Sequence, residues 1–417
     1  MKFKSIRQTA YNILRQSEKY TKTDMIYLTK GGFWVGVKRI ASIATGLGLS
    51  IAFANLLPQE VFGNYKFIIS LAAIIGAFSL TGMGVAVTQA VANGYEGAIK
   101  KGLHENLKWS WGMIIIALTG SVYYYFNNNT LLSYGLLIIA ITLPIINSFN
   151  LTPPFLKGKK EFKKETYYSF PKTFIPPLTL LTVIFITNNP LILVAVYFGT
   201  QALITMATYY YTLYTHTLNT RLNDKTLSFS KHLSLMGILE IIAGHIDKIL
   251  LFHFIGAAPL AIYAFAIAPI REIRTLKKFI ITPAFPKLSQ RPISELKKTL
   301  PHRMIILFLI LTGIVTAYIL AAPYIYKFIF PLYLESVIFS QVFALTLLFM
   351  PIPILVETLT AHLKKRELYI IKTVTPLMRI ILLLILLPIY GLWGAVSAIL
   401  FTYVTNAIMV IWIFKRL

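Results

Sequence analysis

About twelve apolar stretches of roughly twenty residues each alternate along this chain with short polar gaps, and the basic residues crowd into every second gap. The stretches lie near 31–56, 66–90, 109–126, 131–151, 170–187, 190–214, 233–255, 258–282, 304–323, 336–357, 370–389 and 391–414. Of the 40 lysines and arginines, 34 fall in the N-terminal arm 1–30, in the even-numbered gaps (100–108, 157–172, 221–231, 271–303 and 364–372) or at the C-terminus. Lys66 and Lys327 alone fall on the opposite side. Basic residues stay on the cytoplasmic side of a membrane, so the pattern predicts a polytopic protein with both termini inside.

Helices are the expected spans because they satisfy their own backbone hydrogen bonds in lipid. A barrel would show short alternating strands, and the run Ile380 to Leu387 does not alternate. The net charge of +25 is read as topology plus attraction to anionic headgroups. A nucleic-acid partner is not expected, since that signal is a basic face on a soluble domain. With no cysteine, disulfides, thiolate catalysis and cysteine metal sites are excluded. The arm 1–30 runs straight into a full-length span, unlike a cleavable signal. It places Phe3, Ile6, Ala10, Ile13 and Leu14 near one helical face, as an interfacial helix would.

The outward gaps are only a few residues long, and the first holds a single carboxylate, Glu60. No His/Asp/Glu set has metal-ligand spacing, no glycine-rich loop precedes a Lys-Ser/Thr pair, and no nucleotide-binding domain interrupts the spans. The sequence therefore reads as a transporter rather than an enzyme, with no cofactor and no metal site.

Polar residues 216–232 divide the chain into an N-terminal lobe (31–215, six spans) and a C-terminal lobe (233–417, six spans). The first turn of each lobe is similar. Gly63 lies over Ala261, Tyr65 over Tyr263 and Phe67 over Phe265. Parallel six-helix repeats related by an axis along the membrane normal build transporters whose substrate path lies between the repeats.

Two stretches resemble a known family. One is Ala54-Asn55-Leu56-Leu57-Pro58-Gln59-Glu60-Val61-Phe62-Gly63-Asn64-Tyr65, followed by Gly82-Met83-Gly84. The other is Asp247-Lys248-Ile249-Leu250-Leu251, then Gly256 and Ala261-Ile262-Tyr263-Ala264. With the helix count, they make the chain similar to Wzx-type polysaccharide flippases of the MOP superfamily, which also holds the MATE exporters and the peptidoglycan-precursor flippases. Thr88 and Gln89 stand where many relatives carry an arginine. The resemblance implies an all-α, MATE-like fold in a prokaryotic cytoplasmic membrane. It implies a monomer that carries a polyprenyl-pyrophosphate-linked oligosaccharide across the bilayer by alternating access, for a cell-surface polysaccharide such as O-antigen. Membrane lipids, a polysaccharide polymerase and glycosyltransferases are the implied partners, with coupling to H⁺ or Na⁺ left open. A MATE-like exporter of organic cations and a membrane glycosyltransferase or polymerase are the alternatives. The first wants acidic cavity walls and the second large charged outer loops.

Ionisable residues inside spans are expensive in lipid and usually face a cavity or a partner. Lys38 and Arg39 sit about two turns into the first span, within reach either of a cavity or of the inner headgroups. Arg379 lies near the middle of the eleventh span. These three are the candidate pyrophosphate ligands: arginine grips phosphate oxygens bidentately and lysine acts as a point charge. In the seventh span, Glu240, Gly244 and Asp247 share one helical face, and His245 and Lys248 share another. Two readings stand for this group: an ion-coupling carboxylate, or an ion pair of Asp247 with Lys248 or with a cation from another helix. Pro144, Pro176-Pro177 and Pro351-Ile352-Pro353 are expected to kink their spans. Tyr123 to Tyr125 and Tyr209 to Tyr211 mark span ends, where aromatic belts lie.

Overall fold

A computed structural model describes residues 25–222, 224–275, 288 and 290–417; the arm 1–24, including its expected interfacial helix, lies outside the described residues. No strand occurs among the described residues. The helices are α1 (Met25–Leu56), α2 (Gln59–Gly76), α3 (Met83–Ala92), α4 (Ala98–Phe126), α5 (Thr130–Phe149), α6 (Thr152–Gly158), α7 (Phe162–Ile184) and α8 (Pro190–Thr215) in the first half of the chain. The second half holds α9 (Asp224–Ile255), α10 (Ala257–Thr275), α11 (Ile293–Ile329), α12 (Ser336–Ala344), α13 (Ile352–Ala361) and α14 (Lys365–Arg416). Five helical stretches among the described residues are long and apolar enough to cross a membrane: 130–158, Pro190–Thr215, Ile293–Ile329, 336–361 and Lys365–Arg416. In α9, Glu240, Asp247 and Lys248 dilute the apolar run.

The apolar runs become helices where the sequence predicts, and the boundaries move for local reasons. The second span starts at Gln59, seven residues before the expected 66, because Pro58 precedes it in an extended conformation and Glu60 sits in the first turn beside the positive helix end. The same span breaks between Gly76 and Met83. Pro351 and Pro353 split the tenth span into α12, a short 3-10 turn and α13. Pro144 and Pro176-Pro177 stay inside α5 and α7. The eleventh and twelfth spans run together as α14, broken only at Gly391, whose φ of 56° suits glycine. The polar stretch 216–232 is without regular structure only as far as 222, since α9 begins at Asp224.

Within the first half, α4 packs on α5, α5 on α8, α7 on α8, and α1 on α7. Within the second, α9 packs on α14, α10 on α12, and α13 on α14. The seam between the halves is formed mainly by α2 and α3 against α9 and α10. It is aromatic: the Phe67 and Phe252 rings stack at 3.8 Å, and Phe62 meets Phe265 at 4.7 Å. The two similar turns of the sequence, at the heads of α2 and α10, therefore touch each other directly. Repeat-related elements do so when they lie beside the axis that relates them.

Candidate functional site

In the last third of α9, Asp247 is 1% exposed. Its carboxylate accepts hydrogen bonds from Lys248 Nζ (3.1 Å), Arg379 Nη2 (3.1 Å) and Tyr263 Oη (2.6 Å). α9 supplies the acid and the lysine, α10 the phenol and α14 the arginine. A carboxylate taken out of water needs such a complete set of donors, or its desolvation outweighs the Coulomb gain. One anion thus holds two cations in place and ties three helices together.

The cations keep an open side that the carboxylate lacks. The Lys248 and Arg379 side chains are 19% and 22% exposed. Arg379 Nε has no hydrogen-bond partner among the described residues. Lys66 of α2 lies over the Phe62 ring at 5.0 Å, and its charge is felt together with those of Lys248 and Arg271. Arg271 of α10 pairs with Glu272 at 3.5 Å. Deeper on α10, Arg274 donates to Tyr403 and Thr346, which anchors α10 to α14 and the 3-10 turn. At the seam, then, Lys248 and Arg379 share a single carboxylate, Lys66 stands near Lys248 without a carboxylate of its own, and the excess charge is positive.

This arrangement corrects one placement drawn from the sequence. Lys66 is not an outer-gap residue: it sits about two turns inside α2, because the helix begins at Gln59. Arg271 lies in α10, four residues before Thr275. Lys66 is not a candidate site residue in the sequence, nor are Arg271 and Tyr263, the last of which marks only the repeat and the family resemblance; drawing the second span from Pro58 flags Lys66. The structure separates Glu240 from Asp247: Glu240 is exposed and takes no part in the cluster. His245 is half-buried on the Lys248 side, and its Nδ1 lacks a partner among the described residues. The side chains of Lys38 and Arg39 lie outside the described residues. No group of three His, Asp or Glu among the described residues is placed to hold a metal ion.

The seam is closed at both ends. At the end bearing the two similar turns, Asn55 Nδ2 donates to Ile329 O (3.1 Å) and Gln59 Nε2 to Leu332 O (2.8 Å). At the other end, Gly82 N donates to Ser234 Oγ (2.9 Å), and Lys231 pairs with Glu105 at 3.6 Å. The linker is pinned there too. Glu96 pairs with Lys159 at 2.8 Å and accepts from the Asn219 backbone, and His216 meets Glu161 at 3.2 Å. The Lys159 hydrogen bond holds the Glu96 carboxyl below the usual carboxylate range. Burial pushes Glu161 upward, but hydrogen bonds from Lys164 and His216 outweigh it, so its carboxyl also sits low. Both groups stay ionised at neutral pH, which keeps them strong acceptors for the linker's donors.

The model of a family described as "Polysaccharide biosynthesis protein" matches residues 28–292. Among solved structures, the chain is similar to the lipid II flippase MurJ in an inward closed conformation (TM-score 0.66, 15% identity, 93% of this chain and 87% of that one). It is similar to a multidrug resistance MATE family transporter of the MOP superfamily in an inward-facing conformation (0.64, 15%, 91% and 97%). It is also similar to a MOP superfamily transporter from Pyrococcus furiosus Vc1, described as having a binding pocket of reverse polarity that suggests a different function (0.53, 15%, 94% and 93%). No curated protein matches the chain significantly. At these identities the likeness shows the fold, which is that of the MOP superfamily.

Proposed function

Since the chain belongs to the polysaccharide biosynthesis protein family, we propose that it is a flippase that moves a polyprenyl-pyrophosphate-linked oligosaccharide across the cytoplasmic membrane of a prokaryote. The observation that carries the reading is the sign of the seam: three cations, Lys248 and Arg379 on Asp247 and Lys66 near Lys248, against that one carboxylate. A pyrophosphate leaving the headgroup layer loses its hydration, and preplaced cations on both sides of the seam offset that loss. An exporter of organic cations would need the opposite sign. The description of the Pyrococcus furiosus relative supports this use of polarity, because it couples a change of pocket sign to a change of function within one fold. Transport then consists of opening one closed end of the seam while the other stays shut.

Lys66 is the cleanest test, since the contacts described for it are the Phe62 and Tyr65 rings rather than the Asp247 carboxylate. Losing a hydrogen bond to a charged group typically costs about 1.5–3 kcal/mol, or roughly one to two decades in affinity. Lys66→Gln should therefore sharply lower outer-surface glycan at matched protein level, Lys66→Arg should largely retain it, and Arg379→Gln should behave like Lys66→Gln. Wild-type glycan in both charge-removing variants would overturn the reading.

The proposal places both termini and the 157–164 loop in the cytoplasm, with the turn at Asn128 outside. The cysteine-free chain makes the check direct. An impermeant thiol reagent added to intact cells should label cysteine at Asn128 and spare cysteine at Lys160; the reverse pattern would invert the protein.

A further inference from the structure

A cavity of different chemistry lies apart from the cationic cluster. It has a volume of about 630 Å³ and is lined by α2, the break after it, α3, α4, α5, α6 and α8, with Ile241 of α9 as its contribution from the second half. That volume falls within the roughly 300–1,000 Å³ typical of small-ligand sites. Its polar wall is made of Asn106, Asn147, Asn150, Gln201, Ser79 and Thr81. No carboxylate lines it, and Lys157 is its single charge. Such a wall suits neither an organic cation, which wants an acid, nor a pyrophosphate, which wants several cations.

Amide side chains offer donors and acceptors together, which is what a hydroxyl group needs. Two of these amides are left wanting. Asn106 is 6% exposed, and its Oδ1 has no partner among the described residues. Asn147 Nδ2 reaches only Ser79 Oγ and Met113 Sδ, each at 3.5 Å, the outer limit of a hydrogen bond. A buried amide without a partner is costly to maintain, so an unfilled one inside a cavity of ligand size points to a ligand that completes it. Tyr197 and the apolar lining residues supply the less polar contact that a sugar ring's carbon face takes.

The cavity also lies in line with the cations. On α2, Ile69 and Ala73 line it and stand three and seven residues beyond Lys66, on the same helix face. On α9, Ile241 stands seven residues before Lys248. Seven helical residues span about 10 Å, so both helices carry a cation at one end of the stretch and a cavity wall at the other. We infer that this cavity is the binding site for the uncharged, hydroxyl-rich sugar headgroup of the substrate, whose pyrophosphate sits at Lys66, Lys248 and Arg379. The inference rests on the flippase reading for the anion and adds to it a separate site for the glycan.

The test uses purified protein in detergent and two kinds of probe: a short-chain polyprenyl pyrophosphate without sugar, and a panel of the same lipid carrying gluco-, galacto- or manno-configured mono- and disaccharides. Binding is read by thermophoresis. At least one sugar-bearing probe should bind wild type about ten-fold tighter than the bare lipid, the gain of one or two hydrogen bonds. Asn106→Leu/Asn147→Leu should erase that gain and leave bare-lipid binding unchanged, which also shows that the variant is folded. If the pair prevents folding, Gln201→Leu, at a half-exposed position, takes its place with the same expectation. Arg379→Gln should weaken both kinds of probe. A wild type that binds bare lipid but gains nothing from any sugar overturns the glycan site alone, as does a folded variant that keeps the full gain. A wild type that binds neither kind of probe overturns the pyrophosphate reading as well.

Discussion

Replacing Asp247 by asparagine is expected to destabilise the protein by about 3–5 kcal/mol, the usual effect of removing one partner from a buried ion pair. The physical reason is what stays behind. Asparagine still accepts from the Tyr263 hydroxyl, but Lys248 and Arg379 lose the charge that compensates them. In a lipid-embedded seam, two unmatched cations cannot turn to bulk water without moving α9 or α14. Unfolding in mixed detergent should register the loss, and surface glycan should fall with it. Adding Lys248→Met to Asp247→Asn should recover part of the stability, because one orphaned charge goes. Glu240→Gln is the control: it is exposed, so the change should stay within about 0.5 kcal/mol. Equal stability of Asp247→Asn and wild type would show that the cluster does not hold the three helices together.

How this cluster could be read from sequence shows where such reading stops. Apolar runs of bilayer length announce their helices, because nothing but an internally bonded segment is stable in lipid. A charged residue inside such a run announces that it needs a partner, so Asp247 and Arg379 were visible as candidates. Which cation from a distant helix reaches Asp247 depends on how α9, α10 and α14 cross, and periodicity carries no information about crossing. Glu240 and Asp247 illustrate the gap: they share a helix face, yet one is exposed and the other buried, because neighbouring helices cover only part of that face. Lys66 was missed for a different reason. The apolar run begins after it, but the helix begins seven residues earlier, at Gln59, just past the proline signal. The amide cavity is less legible still. Asn106, Asn147 and Gln201 come from three different helices, and a lone amide in a span normally reads as a packing residue.

Substituting Gly63 by alanine is expected to disturb the seam through geometry alone. A Cβ built at Gly63 would stand 1.9 Å from Ala257 O and 2.5 Å from Ala257 C, both backbone atoms that no rotamer change can clear. α2 and α10 must therefore move apart where they cross. Overpacking in a tight contact typically costs about 1–3 kcal/mol. Here the strain falls at one closed end of the seam, beside the Phe62 ring that packs against Phe265 and Tyr333. Relief comes from separating the halves at that end, so the variant should favour a conformation open there. Spin labels on cysteines at Glu60 and Leu334, exposed positions on opposite sides of the seam, should report a longer distance in Gly63→Ala than in wild type. Gly199→Ala is the matched control, because a Cβ there meets nothing within 4 Å, and alanine even favours the helix. If the seam must close at this end in every transport cycle, Gly63→Ala should abolish glycan export while the protein remains in the membrane. An unchanged label distance together with normal export would mean that the contact yields without opening the seam, and that closure at this crossing is not required for transport.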